Sequence, residues 1–442
     1  MKLIFLTCLS ALFLTGAKSP DDFGTASCSY RIYSVKCYGA TGNGLAWDTP
    51  FVQQAIDLAD ANGGGVVYFP NGQYRISGVV VGTLNTIQNG RSSNVSLVGE
   101  SKLGAIIKYD GPSDGTAVRF NKNKYGRLEN LTITNLTGSR GATTGLETSG
   151  PSANGTESNG NILQGVLISG FHFGWHTSAG PNATGSTSSE MTAINLDIYN
   201  CDYGLYNNNW NALNINLFNL SVGGNTYGVF AFTAGVFIHG GSAWGNTIAD
   251  LVFYNGGTNG VYDFRTESTS TFIQAVSATG SASIFVANCD SSGANGSPNS
   301  LYGANVYVEG GEIELNACNI GGPIKVSSAF ETPSLVDVSI VNCKVKDSRP
   351  FRYVNVNQND SHYRIRGTRI YSTDINAPTL WPNSEGVTGP GPDTYTDWYS
   401  EPVGGGLPDI KAATLTVENG FNGQCPQGQS PVFVKGVATG CQ

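Results

Sequence analysis

Carboxylates, arginine and histidine are scarce in this chain, and the places where they gather suggest chemistry. Asp263-Phe264-Arg265-Thr266-Glu267 is a charged cluster amid neutral sequence, Glu309-Gly310-Gly311-Glu312 follows it, and His239 and Asp250 lie upstream. Glycan hydrolysis needs two carboxyls on one outer face, one protonated to help the leaving oxygen and one ionised as base or nucleophile. Asp263, Glu267, Glu309, Glu312 and Asp250 are the candidates for that pair, with Asp197 and Asp202 behind them. Elimination from a uronic-acid glycan needs a different set, a cation for the carboxylate and a base for the proton beside it. Arg265, His239 and the Arg364-Ile365-Arg366 strand face fit that set. Each of these charges also has a plainer reading as a solvated strand residue.

Other chemistries are less well supplied. The chain has no Walker loop and no His-Glu-x-x-His zinc motif. Its histidines, His172, His176, His239 and His362, are too scattered for a metal site, so neither metal nor cofactor is expected, calcium entering only with a lyase. A net charge of −8 and a pI near 5.0 argue against nucleic acid and anionic membrane as partners.

The elements that must carry these residues repeat. Phe173-Gly174-Trp175, Tyr203-Gly204-Leu205 and Tyr227-Gly228-Val229 share a pattern, with Asn259-Gly260-Val261 as a looser copy. Each follows an apolar-alternating strand such as Leu196 to Cys201, as coils of one basic size with variable loops would show. Strand alternation then points Trp175, Leu205, Val229 and Val261 inward and His176, Tyr206, Phe230 and Tyr262 outward. That outward column, with Trp244, is a candidate ladder for sugar rings, whereas Phe173, Tyr203 and Tyr227 read as core stacking. A second match aligns Ile238-His239-Gly240-Gly241 with Val308-Glu309-Gly310-Gly311, which would bring His239 and Glu309 into one column, Ser242 with Glu312, and Trp244 with Glu314. The glycine pair marks a bend between strands.

Val35 to Gly78 organises the start. Thr49-Pro50 suits an N-cap and first helical position, and Val52, Ala55, Ile56 and Ala59 share one helical face. Gly63-Gly64-Gly65 ends that helix, Val66 to Phe69 reads as a buried strand, and Pro70-Asn71-Gly72 is turn chemistry. Tyr38-Gly39-Ala40, Gly42-Asn43-Gly44, Asp48-Thr49, Gln54-Ala55-Ile56-Asp57 and Gly64-Gly65 running into Tyr68-Phe69-Pro70 and Gly72-Gln73-Tyr74 resemble the opening motif of the pectate-lyase-like superfamily. The likeness, shared with rhamnogalacturonase/epimerase-like, β-1,3-glucanase-like and tailspike-like members, continues into Asn94 to Glu100 and Leu128 to Ile133 and departs at Asn43 and Ala46-Trp47. It implies an all-β, single-stranded right-handed parallel β-helix (pectin lyase-like) with a short N-terminal capping helix. It implies little about reaction, because the motif is structural in that superfamily. The Asp-Asp and Gly-His-Gly set of its polygalacturonases is missing here.

Lys2, the apolar run Leu3 to Leu14 and Thr15-Gly16-Ala17 read as a secretory signal peptide. The expected division is 1–17 signal, 18–78 strand and helix cap, 79–377 coils, and 378–442 a Pro/Gly-rich disulfide-closed tail over the open end or a trimerisation segment. Apart from Cys8, the cysteines number eight (Cys28, Cys37, Cys201, Cys289, Cys318, Cys343, Cys425, Cys441), compatible with four disulfides of unreadable pairing. Sequons at Asn94, Asn130, Asn135, Asn154, Asn182, Asn219 and Asn359 suit a glycoprotein, Asn295 being weakened by Pro298. The expectation is a secreted, extracellular polysaccharide-active enzyme, monomeric or homotrimeric. A glycoside hydrolase with paired carboxylates comes first, a uronic-acid lyase second, and a non-catalytic glycan-binding protein third.

Overall fold

In the computed structural model the described residues are 31–82, 93–148, 158–177, 188–209, 211–232, 235–254, 257–277, 282–291, 304–322, 324–327, 336–346, 351–354, 362–371, 383–385, 394–400, 431–434 and 437–441. Nearly all the strands among them stack in parallel and in register. Each coil lays two strands, or one long bent strand, into a 22-stranded sheet and then one strand into a 12-stranded sheet. Thus 162–164 and 167–169 stack on 192–194 and 197–199, and Phe173–Thr177 stacks on Tyr203–Asn207. This is the parallel β-helix that the repeats predict.

Two corners per coil are turned by residues in the left-handed region. The first carries Asn130, Asn195, Asn219, Asp263, Asn288 and Asn342 at φ between 51° and 55°, with Gly165 and Gly240 in the same role. Asparagine and aspartate tolerate this conformation because a short polar side chain bonds locally, so the richness in Asn is conformational. Directly after that corner an interior column runs through Leu131, Val166, Leu196, Leu220, Phe264, Cys289, Cys318 and Cys343, all buried.

Strict alternation fails at one place in the 12-stranded sheet. Gly174 and Trp175 are both buried while Phe173 and His176 both face outward, and the next two coils repeat this pattern. The glycine is an unpaired irregularity in the ladder. A Cβ on Gly174 would lie 2.5 Å from Gly204 O, one on Gly204 2.3 Å from Gly228 O, and one on Gly228 2.5 Å from Asp250 O. Backbone approach therefore demands glycine here, and Phe173, Tyr203 and Tyr227 lie outside rather than in the core. The looser fourth copy is a false match, because Tyr227-Gly228-Val229 is followed in register by Ala249-Asp250-Leu251. Val261 is indeed buried, but it pairs with Ile238 in the other sheet, which takes Tyr262 out of the His176 column.

The helix α1, Thr49–Ala61, buries Val52, Ala55, Ile56 and Ala59 against the first strands as its spacing predicts. Its N-cap is Asp48 rather than Thr49, with Pro50 one place further in. The Asp48 carboxylate instead accepts from Thr41 N (2.7 Å) and Gly42 N (3.2 Å), tying the Gly-rich loop to the helix start. None of the described helices is long and apolar enough to cross a membrane.

Parallel stacking continues beyond residue 377. Strands Asn383–Glu385 and Thr394–Ser400 pair with Phe351–Val354 and His362–Tyr371, so the expected tail starts later than 378, and Pro431–Val434 with Val437–Cys441 forms an antiparallel hairpin. Cys37 is disulfide-bonded, and Cys28 and Cys425 lie outside the described residues. Cys201, Cys289, Cys318 and Cys343, expected in disulfides, are instead buried thiols outside any disulfide. They occupy inward positions next to the corners and pack as small apolar side chains. Burial pushes the Cys201 thiol up to about 12, so it stays protonated and inert. Of the sequons, Asn94 and Asn219 are exposed and Asn130 is half-buried at its corner, whereas the Asn135 amide is used by Ser139 O, Thr143 Oγ1 and Gly170 O. Asn154, Asn182, Asn295 and Asn359 lie outside the described residues.

A buried polar column explains Asp250. Cys201 N donates to Asn225 Oδ1, Asn225 N to Asn246 Oδ1 and Asn246 N to Ser268 Oγ, and Asp250 sits against this line. Its carboxylate accepts from Asn246 Nδ2 (2.7 Å), Ser268 Oγ (2.6 Å) and Thr266 Oγ1. Burial pushes its pKa up from 3.8 to about 6 in spite of those three hydrogen bonds. The native state therefore holds this proton more tightly than the unfolded chain. The stability it contributes is complete below about pH 4 and is lost as pH rises to about 6.

Two predictions follow from this interior. The melting temperature of Asp250→Asn minus that of the wild type should climb between about pH 4 and pH 6 and level off on either side; a flat difference would mean that Asp250 does not titrate there. Alkylation with peptide mapping should label Cys201, Cys289, Cys318 and Cys343 only after denaturation, and rapid native labelling would contradict their burial.

Candidate active site

The outer face of the 12-stranded sheet carries most of the chemistry. One column runs in register through Arg119, Glu147, His176, Tyr206 and Phe230, and beside it runs Phe173, Tyr203 and Tyr227. The glycine irregularity puts both columns outside, so the rings form a two-wide wall. Tyr203 and Tyr227 stack at 5.1 Å and 12°, Phe173 and Tyr206 at 4.9 Å and 23°, and His176 and Tyr206 meet at 5.3 Å and 48°. Arg119 Nε donates to Glu147 Oε2 at 2.7 Å, anchoring the charged end of the column. Burial pushes the His176 pKa down, against Glu147 and a hydrogen bond with Asn208 that pull it up. The ring therefore favours its neutral form.

At the edge of this wall, where each coil enters the sheet, three ionisable groups converge. His172 and Asp202 hold equivalent places on successive coils, and His172 Nδ1 lies 2.7 Å from Asp202 Oδ2. Arg140, from the loop before the preceding strand, reaches across to donate from Nη1 to Asp202 Oδ1 at 2.6 Å. The three side chains are 28%, 32% and 39% exposed, open enough for a ligand to reach. Burial raises the Asp202 pKa, but hydrogen bonds from His172 and Arg140 and the Arg140 charge outweigh it, leaving the carboxyl below its ordinary range. An ionised carboxylate only accepts, so His172 Nδ1 carries a proton, and in the neutral ring Nε2 keeps its lone pair. Burial and the Asp202 charge push Tyr203 up, and burial and Tyr203 push Tyr206 up, so both hydroxyls hold their protons. His172 touches this wall, 4.1 Å from the Phe173 ring and 5.6 Å from Tyr203.

The carboxylates singled out first are dispersed. Asp250 is interior, as described. Glu309 is nearly buried on the 12-stranded sheet, 3.0 Å from the Tyr307 hydroxyl, and burial pushes its pKa up. His239 lies on the 22-stranded sheet, so the expected His239–Glu309 column does not exist. The reason is that Gly310-Gly311 joins the two sheets, whereas Gly240 is the corner inside one strand, Val236–Trp244. In register, Phe237 leads through Gly260 and Phe285 to Glu314, and Thr258 through Ser283 to Glu312, so neither Trp244 with Glu314 nor Ser242 with Glu312 is a pair. Asp263 occupies a corner, on the order of 15 Å along the strand from the place in register with Glu312. Glu267 forms an exposed ion pair with Arg265 at 2.8 Å. Of Arg364 and Arg366 only the backbone is described, on strand His362–Tyr371.

The aromatic candidates divide between the two sheets. His176, Tyr206 and Phe230 belong to the wall, while Tyr262 joins Phe218 and His239. That second set stacks ring on ring at 4.8 Å and 14°, then 5.0 Å and 7°. Rings piled this way along the coil cover one another's faces and present edges to solvent, poorly suited to sugars. Asp202 was a weaker candidate, and Arg140, His172 and Tyr203 were not associated with it. The signal was available in part, because His172-Phe173-Gly174 and Asp202-Tyr203-Gly204 align in the repeat. Among the described residues no three His, Cys, Asp or Glu side chains gather as a calcium cage requires.

Residues 32–144 match the family model described as rhamnogalacturonase A/epimerase, pectate lyase-like. Mannuronan C5-epimerase AlgE2 of Azotobacter vinelandii is 37% identical over 116 residues, 26% of this chain and 11% of that protein. Alginate lyase 7 of the same organism is 54% identical over 46 residues, 10% of this chain and 5% of that protein. The matches thus span about a tenth or less of those relatives. The crystal structure of the Agl-KA catalytic domain superposes with a TM-score of 0.58 at 12% identity, covering 78% of this chain and 66% of that one, a likeness of fold. Residues 32–144 thus resemble that pectate-lyase-like family, and the described strands stack coil on coil as a parallel β-helix.

Proposed function

We propose that this chain is a secreted enzyme that cleaves a uronic-acid polysaccharide by β-elimination at the His172–Asp202–Arg140 cluster. One observation carries the reading: a histidine oriented by an ionised aspartate stands against protonated tyrosines with an arginine beside them. The Arg140 guanidinium, with donors to spare beyond the one facing Asp202, receives the uronate carboxylate and makes the neighbouring C5 proton easier to remove. His172 Nε2 takes that proton, its electron pair forms the C4–C5 double bond, and the C4–O4 bond breaks. Tyr203 gives its hydroxyl proton to O4, leaving one new sugar end and one unsaturated end. Both proton-handling side chains stand on one wall, which suits work on one side of the sugar.

Hydrolysis is less favoured, because its paired carboxylates are scattered over two sheets and the interior. Epimerisation shares the first step, returning a proton to C5 instead of breaking C4–O4. The match to the C5-epimerases and the alginate lyase makes a uronate glycan the substrate class to test first. The family match ends at residue 144, before His172, so the fate of the intermediate rests on this chain's own residues. Export agrees with the leader-like Leu3 to Leu14 run and the disulfide at Cys37.

Incubation with alginate and polygalacturonate should raise ultraviolet absorbance as conjugated double bonds form. His172→Ala should lower the rate about 10²–10⁴-fold, and Tyr203→Phe and Asp202→Asn by about 10²-fold or more, with circular dichroism unchanged. New reducing ends without absorbance would overturn elimination in favour of hydrolysis, and altered uronate signals in nuclear magnetic resonance without chain cleavage would mean epimerisation. Full activity in His172→Ala would remove the cluster from the reaction.

A further inference from the structure

Trp244 lies on the other sheet and plays no part in the proposed cluster. A Cβ built at Gly223, its partner on the neighbouring coil, would fall 2.1, 2.5 and 2.5 Å from three atoms of the indole. The ring therefore lies flat on the Gly223 backbone, and the residue is still 43% exposed. One face rests on protein and the other is open. This is the opposite of the Phe218–His239–Tyr262 stack, whose faces cover one another. Tyr199 flanks the indole at 5.3 Å and 50°, its hydroxyl donating to Ser221 Oγ at 3.0 Å.

The rim is polar. On the next coil Arg265 pairs in register with Ser242 and Glu267 N donates to Ala243 O, which brings the exposed Arg265–Glu267 ion pair beside the indole. An open aromatic face edged by hydroxyl, guanidinium and carboxylate groups matches a pyranose, which offers C–H bonds on one face and hydroxyls around its edge. We infer that Trp244, Tyr199 and the Arg265–Glu267 pair form an accessory binding platform for a pyranose unit of a polysaccharide.

Its place in the fold gives the platform a use. Tyr199 precedes the corner at Asn200 and Trp244 the corner at Gly245, and past the first of these the chain runs through Asp202 into Tyr203. Trp244 is thus two coils, about 10 Å, along the axis from Asp202 and around one corner. A polymer resting on the indole would be held close to the cluster without meeting it. The inference concerns binding alone and stands whether or not the proposed elimination occurs.

Affinity electrophoresis through gels containing alginate or a neutral β-glucan, read without turnover, tests it. The wild type should be retarded in at least one gel, Trp244→Ala should weaken that affinity about tenfold, and Trp244→Tyr, which keeps a ring face, should restore most of it. Arg265→Ala combined with Glu267→Ala, both exposed, should also weaken binding, and this double variant decides the matter if Trp244→Ala fails to fold. Wild-type retardation in folded Trp244→Ala or in the double variant would overturn the platform, as would a wild type retarded in neither gel. A protein inactive on every uronate but bound through Trp244 would refute the elimination and keep the platform.

Discussion

In-register hydrogen bonding between successive coils is the constraint on which the rest depends. Each strand lies about 4.8 Å from its equivalent one coil away, so a position must repeat its conformation and much of its volume from coil to coil. The left-handed corners, the glycine column at Gly174, Gly204 and Gly228, and the inward apolar column all express that one demand. Departures are absorbed where neighbours compensate. Asp250 stands where the glycine would be, and Asn246, Thr266 and Ser268 satisfy its carboxylate.

The same spacing makes the candidate site. His172 and Asp202 occupy one position on two coils, and the coil-to-coil distance lets their side chains meet at 2.7 Å. Arg140 completes the group from a loop, the part of a coil free to vary in length. A rigid ladder thus orients the base and tyrosine while a variable connection supplies the cation. The aromatic wall depends on the glycine irregularity, since uniform alternation would turn either Phe173 or His176 into the core.

The opening helix and first strands were legible in the sequence because their signals are local. Proline near the helix start, apolar spacing from Val52 to Ala59 and a glycine run at its end need no knowledge of distant residues. The repeat was legible too, but its phase was not. The Gly240-Gly241 and Gly310-Gly311 bends resemble each other in sequence and sit at different corners, and only the hydrogen-bonded register distinguishes them. The inward cysteines were read as disulfide partners because composition carries no direction, whereas a place in the core column makes them packing residues.

The sequence by itself determined a coiled, parallel all-β chain capped by a short helix, because turn residues, alternation and the opening motif act over a few residues each. Tertiary structure alone decided which charges meet. Asp202 finds His172 thirty residues away and Arg140 sixty-two away through the winding of the coil, while Glu309 and Glu312, near neighbours in sequence, fall on different sheets. Chemistry on such a scaffold depends on register, and register is set by the sum of many coil-to-coil bonds rather than by any short run of residues.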